Sequence, residues 1–110
     1  MIRVGHVRDT DLNYEAVIIE DSASGDDLQI QRSLDFDDQD HALGMATYCL
    51  VRGGAAHYGG LVAWRVSGSS FVMELNSEAA EALDLPAMTE IPVDADGAAL
   101  LAELLPRLVS

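Results

Sequence analysis

Leu61-Val62-Ala63-Trp64-Arg65-Val66-Ser67-Gly68-Ser69-Ser70-Phe71-Val72-Met73-Glu74-Leu75 is the stretch whose reading decides the fold. Two runs rich in β-branched and aromatic residues flank four small polar ones, which predicts a β-hairpin. A two-residue Gly68-Ser69 turn of the primed kind sets its register. Val66 then faces Phe71, Trp64 faces Met73 and Val62 faces Leu75, all on one side of the ribbon. Arg65 lies diagonal to Glu74 on the other side. Trp64 is expected to be largely buried beside Met73.

Working outward, Asn76 or Ser77 is placed to cap a short helix, with Glu78 in its first turn and Ala79, Ala80 and Leu83 facing inward. Pro86 ends that helix by pushing Leu85 toward extended angles. Thr89, Ile91 and Val93 alternate as a strand that Pro92 confines to an edge or an end. Asp96 is expected to cap a last helix carrying Leu101, Leu104, Leu105 and Leu108 at helical spacing. Pro106 should kink or stop it.

Toward the N-terminus, Tyr14 to Ile19 is rich in β-branched residues and reads as a strand. The turn formers Asp21 to Asp27 end it. Leu28 and Ile30 alternate with Gln29 and Gln31, a strand with one wet face. If that strand runs on, Arg32 falls on its dry face and requires a carboxylate partner. Leu34 to His41 is an acidic loop or helical turn. Thr47 to Val51 is apolar or small on both faces, as in a central strand. The expected class is α+β: a single domain over residues 1–110, mainly antiparallel sheet, with two helices of the C-terminal half packed on one face.

Charge narrows the function. Nineteen acids against six bases, all six of them arginine, leave a net charge of −13. Such a surface repels nucleic acid and anionic membranes and attracts basic proteins. A lone cysteine, Cys49, suits a reducing compartment. No run approaches the roughly 20 apolar residues of a membrane helix. The opening residues also lack the long apolar run of a secretory signal, so a cytoplasmic location is expected.

The chain is poor in chemical motifs. Counting from Asp35, Asp37 and Gln39 fit the first ligand positions of a calcium loop, but Asp40 replaces its glycine and Ala46 its closing glutamate. Cys49 and His57 flank one turn and suggest a nucleophile with its base. Yet Cys49, inside Tyr48-Cys49-Leu50-Val51, fits a small buried hydrophobe. No metal, no cofactor and no enzymatic activity are expected.

Several short segments are familiar together. Leu28-Gln29-Ile30-Gln31-Arg32-Ser33, Phe36-Asp37-Asp38-Gln39-Asp40, Leu43-Gly44-Met45, Thr47-Tyr48-Cys49-Leu50 and His57-Tyr58-Gly59-Gly60 resemble the immunity protein 10 family. The resemblance covers residues 28 to 66, and Ala46 departs from it where a polar residue is expected. It implies a bacterial protein that neutralises a cognate toxin, expected to be basic, by stoichiometric binding. Asp35, Asp37, Asp38 and Asp40 are the expected docking charges, with Tyr48 or Tyr58 as aromatic anchor. Two other classes stay open: an acidic mimic of nucleic acid that blocks a nuclease or restriction enzyme, and a small metal-dependent enzyme or regulator using the acidic loop.

Overall fold

The computed structural model describes residues 2–43 and 47–109, the side chain of Asp40 excepted. Gly44, Met45 and Ala46 of the familiar segments lie outside the described residues. The elements are β1 (Ile2–Asp9), β2 (Tyr14–Asp21), β3 (Asp27–Ser33), α1 (Asp38–Ala42), β4 (Cys49–Arg52), β5 (Ala55–Tyr58), β6 (Leu61–Val66), β7 (Ser70–Leu75), α2 (Ser77–Leu83), β8 (Met88–Pro92) and α3 (Ala95–Leu108). They form an antiparallel five-stranded sheet in the order β1-β2-β3-β4-β5 and an antiparallel three-stranded sheet in the order β6-β7-β8. The α+β class holds, as two sheets.

The hairpin of β6 and β7 pairs Val66 with Phe71 and Trp64 with Met73, as its alternation requires. Two details differ. The register shifts between Leu61 and Ala63, so Leu61 rather than Val62 stands opposite Leu75, and Val62 is 61% exposed. A bulge of this kind turns the extra residue outward and twists the strand. The turn is also not primed, because neither Gly68 nor Ser69 has a positive φ. Ser67 closes it instead: its amide donates to Ser70 O at 2.9 Å, and its hydroxyl accepts from the Ser70 amide at 3.2 Å. Trp64 is half-buried rather than largely buried. It sits on an edge strand, whereas Phe71 and Met73 on the central strand have no exposed surface.

Asn76 caps α2 by accepting from the Ala79 amide at 2.8 Å. Asp94, not Asp96, caps α3, accepting from the Gly97 amide at 2.6 Å. An aspartate two residues earlier leaves Asp96 in the first turn, where the helix dipole also favours an acid. Pro106 does not stop α3, which runs on to Leu108. Both Pro106 and Ala102, the residue one turn back whose carbonyl loses its donor, are exposed, so water can satisfy that oxygen. Fully buried Leu105 and Leu108 hold the final turn against the core. β8 is an edge strand, with Pro92 as its last residue.

One core joins both sheets and both longer helices, through Val17, Ile30, Leu50, Phe71, Met73, Leu83, Leu101 and Leu105 among others. Alternation assigns the faces of the five-stranded sheet. Ile2, Val4, His6, Glu15, Val17, Ile30, Leu50 and His57 look toward the helices. On that side a Cβ on Gly97 of α3 would come within 2.9 Å of Val4, and His57 reaches Glu78 of α2 at 3.9 Å. Both helices therefore cover the same face, and among the described residues no helix lies on the opposite one. No helix among the described residues is long and apolar enough to cross a membrane.

Candidate functional site

The expected docking residues lie around the end of the five-stranded sheet where β3 runs into α1. Leu34 donates its amide to Asn13 O at 3.0 Å, which ties the segment to the β1–β2 turn. Asp35 then accepts from Asn13 Nδ2 at 2.5 Å. Asn13 takes a left-handed φ of 59°, a conformation its short polar side chain tolerates. Asp37 occupies the position before α1, its carbonyl accepting from the His41 amide at 3.2 Å. Asp38 begins the helix. Asp35, Asp37 and Asp38 are all exposed. The side chain of Asp40 lies outside the described residues.

Arg32 lies on the helix-covered face, as a continuing strand requires. Its guanidinium donates to Leu108 O at 3.4 Å and lies 5.2 Å from the centre of the Phe36 ring. Phe36 in turn meets His41 edge-on, with 6.3 Å between ring centres. The acidic segment is thus anchored from beneath by a cation–π contact and from the side by Asn13.

The two tyrosines part company. Tyr58, on β5, is 44% exposed on the helix-free face. A small hollow of about 60 Å³ lined by Tyr14, Gln31, Ser33, Cys49 and Tyr58 links it to the foot of the acidic segment. Tyr48 is only 8% exposed and belongs to the core. Its hydroxyl accepts from the Leu61 amide at 2.9 Å and donates to Leu61 O at 3.3 Å. A phenol engaged at both of its hydrogen-bonding sites joins the five-stranded sheet to the start of β6.

Cys49 and His57 do not meet as nucleophile and base. Cys49 pairs with Tyr58 and His57 with Leu50, so their side chains leave opposite faces of the sheet. Burial raises the Cys49 thiol pKa, which lowers its thiolate fraction. Among the described residues, no three His, Cys, Asp or Glu side chains converge to hold a metal ion.

A charged cluster that no local pattern announces lies on the helix-covered face. Glu15, 4% exposed, accepts from Arg107 Nε at 2.9 Å and Nη2 at 2.6 Å. His6 Nε2 lies 2.7 Å from the same carboxylate and, facing an acceptor, carries the proton between them. Led by the Arg107 hydrogen bonds and opposed by burial, these partners hold the Glu15 carboxyl at a pKa of about 2. Arg52 forms a second fastening: it donates to the carbonyls of Leu83 and Asp84 at 2.9 and 3.1 Å and to Asp26 at 2.9 Å. A cation at the C-terminus of α2 also suits the helix dipole.

Comparison with known proteins adds one finding. A family model described as Immunity protein 10 matches residues 2–101, well beyond the segments that are recognisable by eye. No curated protein and no solved structure matches the chain.

Proposed function

The chain belongs to the Immunity protein 10 family, and on that premise we propose that it protects a bacterial cell by binding a cognate toxin, one copy to one, without turnover. The match over residues 2–101 carries this reading. Charge supports it, because a protein of net charge −13 attracts a basic partner and speeds its encounter. The exposed Asp35, Asp37 and Asp38, with neighbouring Asp40, contribute to that attraction, and Tyr58 offers an aromatic anchor beside them. The protein acts in the cytoplasm of the producing cell, where a toxin is a threat before export.

Co-expression with the toxin encoded in the adjacent gene tests the proposal. The expected result is restored growth and a complex that co-purifies at one-to-one stoichiometry, saturating sharply in calorimetry. Protection at a small fraction of the toxin concentration, or the absence of any complex at micromolar concentrations, would overturn it.

A further inference from the structure

We propose that the helix-free face of the five-stranded sheet is the surface on which the toxin docks; this rests on the function proposed above and names its binding site. Two complete rows cross that face. Val7, Ala16, Gln31, Cys49 and Tyr58 stand side by side from β1 to β5, and Gly5, Ile18, Gln29, Val51 and Ala56 form the next row. All ten positions are uncharged, in a chain where 23% of residues carry charge. Charges return only at the margins, with Asp9 beyond one row and Arg3, Glu20 and Asp27 beyond the other.

The second sheet provides an internal comparison. Its outward face carries Arg65 beside Val72 and Glu90 in one row, and Ala63 beside Glu74 and Met88 in the next. That is the usual wet face of an antiparallel sheet, with charges at its centre. The five-stranded sheet breaks this rule. An uncharged centre within a charged rim, with one aromatic, Tyr58, on the edge strand, fits the composition of a protein-binding patch.

The face is also preorganised. Gln31 donates its side-chain amide to Gln29 Oε1 at 2.7 Å, and Gln29 donates to Asp27 Oδ2 at 3.4 Å. This chain of amides restrains two long side chains along β3, so less entropy is lost on docking. At one end lies a hollow of about 260 Å³ lined by Arg3, Gly5, Ile18 and Glu20. At the other lies the hollow beside Tyr58, next to the acidic segment. From strand spacing and rise, the sheet measures about 24 by 23 Å in plan. That is roughly 550 Å² before side-chain relief, against about 800 Å² per partner in a standard interface. The adjoining acidic segment supplies the remainder.

Charge selects the occupant. Two copies of this chain, each at −13, repel one another, whereas a basic protein is drawn to the acidic rim of Asp9, Glu20, Asp27, Asp35, Asp37 and Asp38. The partner surface that fits is basic at its margin and neutral at its centre.

Cys49, which stands between Gln31 and Tyr58 in one row and is the chain's single thiol, is a built-in probe. Its rate of alkylation by iodoacetamide should fall at least 10-fold in the toxin complex. Gln31→Arg should weaken toxin binding at least 30-fold, whereas Met88→Arg, which adds the same charge on the other sheet, should change it less than 3-fold. Thermal melts establish that both variants fold, and the alkylation of the wild-type complex depends on neither. A tight complex in which Cys49 reacts as fast as in the free protein, with Gln31→Arg binding normally, would overturn the surface and leave the function standing. Absence of any complex would overturn both. Concentration-dependent protection of Cys49 without toxin, with a dimer in sedimentation, would assign the face to a second copy and overturn the proposal.

Discussion

Arg107, near the end of α3, grips Glu15 of β2 through two parallel hydrogen bonds of 2.9 and 2.6 Å, across 92 positions of sequence. Paired and buried, Glu15 keeps its carboxyl at a pKa of about 2, below the ordinary 4.5. His6 completes the grip from β1. The tie fastens the C-terminal end of α3 to the first two strands.

Acid should loosen it. A carboxyl with a depressed folded-state pKa stabilises the fold fully above its unfolded value, and the contribution disappears as pH falls through the folded value. The window is therefore from pH 4.5 down to about 2. The depression corresponds to about 3 kcal/mol. Glu15→Gln should cost roughly that much at pH 7 and little at pH 2. Urea unfolding of both proteins across this range checks it; a difference independent of pH would refute it.

Tyr48→Phe should separate fold from binding. Removing the hydroxyl leaves the Leu61 amide and carbonyl without their partner, at a cost of roughly 1–3 kcal/mol. Because Tyr48 is buried, toxin affinity measured on the folded variant should stay within about 2-fold of wild type. A large loss of affinity with unchanged stability would contradict this assignment.

Neutralising Asp37 and Asp38 together to asparagine tests steering. Asparagine caps helices as well as aspartate does, so stability should change by less than about 0.5 kcal/mol. Association should slow by roughly 3- to 10-fold at low salt, and its dependence on ionic strength should weaken. Stopped-flow mixing over a salt series measures both. Lost stability with unchanged association would show that these acids serve the fold.

Gly60→Ala should be costly. Gly60 has a φ of 97°, and a Cβ there would lie 2.5 Å from that of Ala79. Left-handed strain and overpacking against α2 together predict a loss of about 2–4 kcal/mol. A melting temperature within a degree of wild type would refute this.

Strong local signals carried most of the fold. The β6–β7 hairpin, the α2 cap at Asn76 and the edge position of Pro92 follow from residues close together in sequence. β1 is not legible in the sequence because His6 and Arg8 break its apolar alternation, and His6 is accommodated by a carboxylate on β2. β5 is hidden because Ala55-Ala56-His57-Tyr58 has little intrinsic preference for strand, and only its pairing with β4 makes it one. The bulge at Val62 depends on how β6 meets β7, which no alternation rule contains. At the candidate site, the acidic segment is obvious from composition. The burial of Tyr48 and the uncharged rows become visible only when strands distant in sequence are laid side by side.

The order of the strands has a consequence for synthesis. Each strand of the five-stranded sheet pairs with its neighbour in sequence, so this sheet can zip together as successive hairpins leave the ribosome. α2 covers β5, but α3, which covers β1, β2 and β3, emerges only after all eight described strands. Until then Val17, Ile19 and Ile30 lack α3 above them, and Glu15 waits for Arg107. A chain interrupted before Ala95 thus carries a finished sheet whose β1–β3 half lacks its helix, a natural substrate for chaperones and proteases.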